Sequence, residues 1–523
     1  MTTTNPVLFI GLDGAEPTLL VRWMAEGKLP ALAKLASEGC VGPVRTLPGM
    51  GDGATWPTLV TACGPARHGR YFRSQLRSGS YASYNFETDR DLKAAPFWTQ
   101  LDAAGRKVAI LDLPYTPRTT LIHGRVVADW HIHDRYGPPR SHPPELIDEL
   151  LATFGDDPVG GVSDHVDKGA NGVRVLQEQL VHRISQKASL VCRTLAEGHW
   201  DLLCAGFAEM HDIGHMGWHM HDPVSPDHDA AFVATNGDPW LNVAQAVDEA
   251  IGTILAEAGD AAILIVSLHG MGSWFGAPFL LPEILVRLGV TVPVSPPAAK
   301  RTPRTLGIAA ARAIWKSLPE SIRSRLRPLR RRMLPDPPKS PPTLGIVPGQ
   351  SRCFAVGNGA PVGAIRLNLR GREPEGQINP GPEADRFENQ LIVDLLDIQD
   401  DRTGRPAIRR VLRTRDLFDG PELARLPDLL VEWDDREPTG SMLLAEGRGA
   451  TVSLSSPRIG MVTGVNWYGR SGDHRPGGKY FLLGPGVEHG SPAPAVDVAG
   501  FAAAIVAAVH DRTPMEATLR APR

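Results

Sequence analysis

The sequence predicts an α/β fold: a mostly parallel central sheet covered by helices on both faces and interrupted by an inserted segment. Three observations carry this. Short apolar runs alternate with amphipathic helical stretches along the chain, the rhythm of sheets whose crossovers are helices. The runs are continuously apolar, as buried parallel strands are. A Pro-rich, basic stretch then breaks the rhythm between about Thr291 and Gly349.

In order, Val7–Ile10 reads as a buried strand that delivers Asp13 at its carboxyl end. A helix is expected around Leu29–Ser37, stopped by Gly39. Phe97–Ala104 reads as a helix, Gly105 as its stop and Val108–Leu111 as the next strand. Val173, Leu176, Leu180, Ile184, Ala188, Val191 and Leu195 recur at helical spacing and mark a long amphipathic helix. The strand Leu202–Phe207 follows, then a His-rich turn. A helix through Val243, Val247, Ile251 and Ile254 leads to the strand Ile263–Val266. In the inserted segment, two Pro-rich stretches flank a basic piece with Arg323, Arg325, Arg327, Arg330, Arg331 and Arg332. A solvated helical face accounts for these arginines most simply; an acidic partner, a lipid surface or an anionic substrate is the other reading.

Composition narrows the class. Of 523 residues 42% are hydrophobic, enough to bury a sizeable core. Length alone suggests about three domains at roughly 150 residues each. The alternation instead favours one large discontinuous unit, 1–290 with 350–523, around the insertion 291–349. The net charge of -3 gives no global basic field, so no nucleic-acid-binding module is expected. No run approaches the ~18 apolar residues of a membrane span, and the amino terminus has no basic region of a signal peptide. Five scattered cysteines without CxxC pairing fit reduced thiols. A cytoplasmic protein is expected; oligomeric state is left open.

Three segments and a C-terminal pair of segments concentrate residues of metal-binding type. FIGLDGAEP holds Asp13, and GDGATWPTLVTACGPARHGRY holds Asp52, Thr55 and His68. GFAEMHDIGHMGWHMHD places His211 and His215 four apart, beside Glu209, Asp212, His219 and Asp222. VSLHGMG and SGDHRPGG supply His269, Asp473 and His474. A carboxylate or imidazole at the carboxyl end of a parallel strand points into the crevice where α/β sheets bind ligands. Two histidines four apart on a helix can present two nitrogens to one cation. Several such strand ends together could hold a pair of metals, a clamp suited to phosphoryl displacement. Taken singly, each residue is explained as well by a cap, a salt bridge or turn chemistry.

The motifs LFIGLDG, TLVT…ARHG, FWTQLDAAGRKVAILDLP, SLHGMG, IRLNLRGREPEG, LPDLLVEW and SGDHRPGGKYFLLGPGV together resemble the type I phosphodiesterase/nucleotide pyrophosphatase branch of the alkaline phosphatase superfamily, especially its bacterial phosphohydrolase/phosphomutase-like members. The resemblance implies an alkaline-phosphatase-like three-layer α/β/α sandwich as the catalytic domain. It also implies two divalent metal ions, typically zinc, bridged by a Thr or Ser nucleophile, and a small-molecule phosphoester as substrate. By the same resemblance Asp13 matches the first-strand ligand, His269 the histidine of an Asp-His pair, His215 that of a D-x-x-G-H motif, and His474 the C-terminal ligand.

Three positions depart from the family pattern. The nucleophile position is Asp52, the Asp before His269 is Leu268, and the Asp four residues before His215 is His211, with Asp212 displaced by one. These changes suggest one site of Asp13, Asp52 and His269 and another of His211, His215 and His474, each with three protein ligands. The all-imidazole site favours zinc; the mixed site accepts zinc or manganese. Three attackers are then open, in order of preference: a metal-bound hydroxide, Thr55, and Asp52 itself through an acyl phosphate. Asp212, His219, His221, Asp222 and Asp473 are candidates for orienting the ligands. Arg366, Asn368, Arg370 and Arg372 are candidates for phosphate recognition, although alternate residues of a strand facing solvent would look the same.

The leading expectation is a dinuclear metal-dependent hydrolase of phosphoesters, of phosphodiesterase or nucleotide pyrophosphatase type. A phosphomutase, phosphonate hydrolase or sulfatase on the same scaffold competes with it, as does a metal-binding protein that has lost turnover. A sulfatase-like C-x-P-x-R at Cys63, Pro65 and Arg67 falls after the LVT run and is read as coincidence. Substrate specificity is expected in the insertion and the loops around the crevice.

Overall fold

The computed structural model describes residues 6–133, 135, 137–160, 167–294, 344–359, 362–443, 448–490 and 493–520. Its centre is a nine-stranded sheet. In chain order the strands are β1 (Val7–Leu12), β2 (Cys40–Arg45), β3 (Val108–Leu111), β4 (Gly124–Ala128), β5 (Arg140–His142), β6 (Leu202–Phe207), β7 (Ala262–Ser267), β8 (Gly478–Leu483) and β9 (Val496–Asp497). In space they run β9-β2-β8-β7-β1-β6-β3-β4-β5. The inner five, β7 to β4, are all parallel, while β5 and β8 run antiparallel to their neighbours.

Strand alternation shows why the apolar runs must be covered twice. Along β1, Leu8, Ile10 and Leu12 enter one core while Val7 and Phe9 enter the other. β7 does the same, with Ile263 and Ile265 on one face and Leu264 and Val266 on the opposite one. The helices Ala170–Ala196 and Pro239–Glu257 supply Leu176, Leu180, Ile184, Val243, Val247 and Ile251 to the first face. Thr55–Thr61 and Val498–Val506 cover the second with Leu59, Val60, Phe501 and Ile505. Each fully buried aliphatic or aromatic side chain contributes about 1.5–3 kcal/mol. The result is the expected α/β/α sandwich.

The His-rich stretch is a helix, Glu209–His221, rather than a turn. It packs against both long helices, with Met210, Ile213 and Met216 in their shared core. Asp238 connects the neighbouring elements: it caps Pro239–Glu257 by accepting from Trp240 N and Leu241 N, and it lies 2.6 Å from His221 Nδ1.

A second, antiparallel sheet of four strands has the order Cys353–Val356, Val362–Leu367, Leu429–Trp433, Ile408–Arg413. Its own core includes Ile365, Leu367, Leu429 and Val431, covered by Phe387, Leu391 and Leu395 of the helix Pro382–Leu396. Met50, Ala54 and Tyr71 pack on Ala364 and Leu430 and so join this sheet to the loop that carries Asp52. Glu432 accepts from Gly49 N (2.8 Å) and Asn358 donates to Gly49 O (2.8 Å), fixing the same loop.

At the edges of the Pro-rich segment, Val294 N donates to Gly345 O and Val347 N to Val292 O, so the chain leaves and returns at one point. The arginine cluster at 323–332 lies outside the described residues. All five cysteines are free. Among the described residues, no helix is long and apolar enough to cross a membrane.

Candidate metal centre

The site lies at the carboxyl ends of the parallel strands. Asp13 follows β1 directly, 2% exposed, with its N–H donating to Phe207 O (2.8 Å). Gly14 follows in the left-handed region (φ +69°), and a Cβ there would stand 2.6 Å from the Cα of His211. The missing side chain lets the Glu209–His221 helix start against β1. His211 and His215, one turn apart, share a face of that helix. His269 lies two residues beyond β7. The chain then forms Gly270–Ser273, which pairs with Gly472–Arg475 in antiparallel register, Met271 opposite His474. This short ribbon brings His474 to the β7 end, its ring 4.5 Å from that of His269.

Three imidazoles converge: His211, His215 and His474 offer ligand atoms all within 4.8 Å of one another. His215 Nδ1 donates to Gly472 O at 2.8 Å. That bond fixes its tautomer and leaves Nε2 as a lone pair facing His211 Nε2 at 3.1 Å. Arg470 Nη1 also approaches His215 Nε2, at 3.0 Å. Burial, together with neighbouring imidazoles and Arg470, holds His211 and His215 well below the ordinary histidine range, in the neutral form that binds metals. At His474 burial acts in the same direction, but Asp52 and Asp473 outweigh it and push the ring up to about 9.

Asp13 lies between two histidines. His269 Nε2 is 2.8 Å from Oδ1, without the angle of a hydrogen bond, and His133 Nε2 is 3.5 Å from Oδ2. Burial opposes ionisation of this carboxyl, yet His269 and His133 hold it well below the usual carboxylate range. A second group able to hold a metal ion consists of Asp13, His133 and His211.

The donor set fits a cation in a further respect. Asp13 Oδ1, His133 Nδ1, His211 Nδ1, His474 Nε2 and Asp473 Oδ2 are all buried without a hydrogen-bond partner. Each such atom costs about 1–3 kcal/mol unless something satisfies it.

Asp52 stands apart from the Asp13–His269 pair in its contacts. It opens a 3₁₀ turn, Asp52–Ala54, and its Oδ1 lies 3.6 Å from His474 Nδ1. Thr55, 4% exposed, begins the next helix. Two cavities meet at Asp52 and His474. One, of about 130 Å³, is lined also by Thr55 and His269; the other, of about 440 Å³, by Arg73, Lys168 and Arg470.

The remaining candidates are placed as follows. Asp473 accepts from His474 N (2.7 Å) and lines the larger cavity. His219 Nε2 lies 3.1 Å from Lys168 O. Asp212 accepts from Arg183 Nη1 (2.8 Å) in a fully buried ion pair. Asp222 accepts from Ser273 Oγ (2.6 Å). Leu268, where the family pattern has a carboxylate, is fully buried in the sheet's second core. His68 is pulled down to about 3 by burial and Arg70, and contacts Thr58 Oγ1 (3.0 Å). Neither Cys63 nor Arg67 lines the two cavities, and Arg67 reaches Asp419 instead (3.5 Å).

The expected phosphate-binding side chains need correction. Arg366 is buried and donates to Glu373 (2.7 Å) and Leu426 O. Asn368 donates to Pro348 O, Ser351 O and Glu375 O and accepts from Tyr81. Arg372 grips Asp428 with two 2.7 Å bonds and also reaches Glu373. None lines either cavity. They hold the second sheet to its flanking loop.

His133 was not among the candidates. It lies in the loop after β4, and Asp112, just past β3, fixes that loop by accepting from Trp130 N (3.0 Å) and His131 N (2.8 Å). The sequence signal was the H-x-H run DWHIHD after a short apolar stretch.

With the geometry in place, the model of the type I phosphodiesterase/nucleotide pyrophosphatase family matches residues 7–298, more than half of the 523-residue chain. The chain belongs to this family. A phosphodiesterase/pyrophosphatase of this family is a phosphoester hydrolase. Among solved structures, the phosphonoacetate hydrolase of Sinorhizobium meliloti 1021 in complex with phosphonoformate is similar over 97% of this chain and 96% of its own, at 13% identity and a TM-score of 0.49. Human ectonucleotide pyrophosphatase/phosphodiesterase 5 is similar over 96% and 94%, at 12% identity and a TM-score of 0.43. No curated protein matches the sequence.

Proposed function

We propose that this phosphodiesterase-family chain is a zinc-dependent hydrolase of phosphodiester or nucleotide-type substrates, in which water rather than a side-chain hydroxyl attacks phosphorus. The convergence of His211, His215 and His474 within 4.8 Å carries the reading. Three imidazoles leave an open position and suit zinc better than magnesium. When bound, the metal would polarise the phosphoryl group and acidify water.

The chain's own residues supply the rest. Asp52 occupies the nucleophile position with a carboxylate, which is better used beside His474 than as a nucleophile. Arg470, with Arg73 and Lys168 in the same cavity, offers positive charge to a phosphate oxygen. Asp473 lies 3.3 Å from His474 Nδ1, so that together with Asp52 it directs the opposite nitrogen, Nε2, into the crevice. A mutase that passes through a phosphorylated hydroxyl finds none at position 52. We take 1–290 with 350–523 as the catalytic unit and 291–349 as an insertion beside it.

A screen of phosphomonoesters, phosphodiesters, phosphonates and sulfate esters against zinc-loaded protein tests this. The highest kcat/KM is expected on bis(p-nitrophenyl) phosphate. A higher value on a phosphonate or a sulfate ester would overturn the substrate class.

A further inference from the structure

We infer that His133 is a metal ligand: with Asp13 and His211 it forms the second cation site, replacing the carboxylate that the family pattern has at position 268. The inference rests on the metal-dependent reading above. Three observations support it. His133, Asp13 and His211 offer ligand atoms within 4.8 Å of one another, and all three are buried. One carboxylate oxygen of Asp13 meets His269 and the other His133, with the Trp56 indole also acting on the group. The loop carrying His133 is held by two hydrogen bonds to Asp112, which itself lies 3.5 Å from Lys187 Nζ. Those bonds anchor the backbone of Trp130 and His131, three and two residues before His133.

Leu268 explains why an extra imidazole is needed. It packs with Val266, Leu264 and Phe9 and leaves the β7 end with one donor, His269. Asp52, the other candidate replacement, faces His474 instead. His133 enters from the far side of Asp13, its ring stacked on that of His211 with centroids 3.7 Å apart. His211 belongs to both groups. Its Nε2 faces His215 while its Nδ1 is buried and unpaired, so serving both groups at once requires a bridging imidazolate, the ring proton being released to solvent as the second ion binds. The two groups therefore form one continuous dinuclear centre.

The test is cobalt(II) titration of chelator-stripped protein, read by d–d absorption and by metal analysis. Wild-type protein is expected to take two equivalents. His133→Gln is expected to take one, or to bind the second about tenfold more weakly or worse, and His133→Asp to restore it. A His133→Gln protein that binds two equivalents with unchanged affinity overturns the inference. If His133→Gln melts below wild type in chelator, histidine ¹⁵N spectra of wild-type protein titrated with zinc give the same answer. The ring nitrogens of His133 are expected to shift with the second equivalent, and unmoved resonances overturn it. Wild-type protein that takes up no cobalt overturns the metal-dependent reading as well. A single equivalent lost in His215→Ala but kept in His133→Gln overturns only the role of His133.

Discussion

Asp52 Oδ1 lies 3.6 Å from His474 Nδ1, on the wall shared by the two cavities. The carboxylate at the nucleophile position thus acts on an imidazole. Asp52→Asn is expected to lower kcat/KM on bis(p-nitrophenyl) phosphate about 10–100-fold, while Thr55→Ala stays within about threefold of wild type. Acid-quenched enzyme should carry no phosphate. A labelled phosphoenzyme, or a Thr55→Ala rate reduced more than about a thousandfold, would contradict water as the attacker.

Arg470 Nη1 lies 3.0 Å from His215 Nε2. Arg470→Ala should weaken inhibition by inorganic phosphate about tenfold, or roughly 1.4 kcal/mol. Metal content should not change. Competitive inhibition constants and metal analysis on the same preparations check both statements.

Gly14 gives a steric prediction. Its positive φ and the 2.6 Å approach of a built Cβ to His211 Cα leave no room for alanine. Gly14→Ala is expected to cost about 1–3 kcal/mol in stability and to lower metal occupancy by displacing the His211 helix. Chemical denaturation and metal analysis measure the two effects.

Arg372 provides the contrast. Its two bonds to Asp428 and its contact with Glu373 are structural. Arg372→Ala should destabilise the protein by about 2–4 kcal/mol and leave KM within about twofold. A large rise in KM with unchanged stability would return Arg372 to the substrate site.

The sheet was legible because parallel strands buried on both faces must be apolar throughout: Val108–Leu111 and Leu202–Phe207 match their apolar runs residue for residue. Asp13 and His269 could be singled out in the sequence because the ends of parallel strands aim side chains into one crevice, whereas His474 lies within the Gly472–Arg475 ribbon. The His-rich stretch was misread because Gly214 and Gly217 interrupt its pattern; packing against two long helices, not propensity, makes it helical. The IRLNLRGREPEG segment was ambiguous for a different reason. A strand facing a cavity and one facing an ion-pair partner carry the same alternation, and only the position of Glu373 and Asp428 in space separates them. His133 was invisible because its partners, Asp13 and His211, are distant in sequence and share no spacing with it.

Metal dependence of turnover tests the central claim most directly. Protein stripped with dipicolinate and assayed on bis(p-nitrophenyl) phosphate should lose activity, then regain it in proportion to zinc bound, up to two equivalents. Undiminished hydrolysis by protein shown to be metal-free would contradict the account.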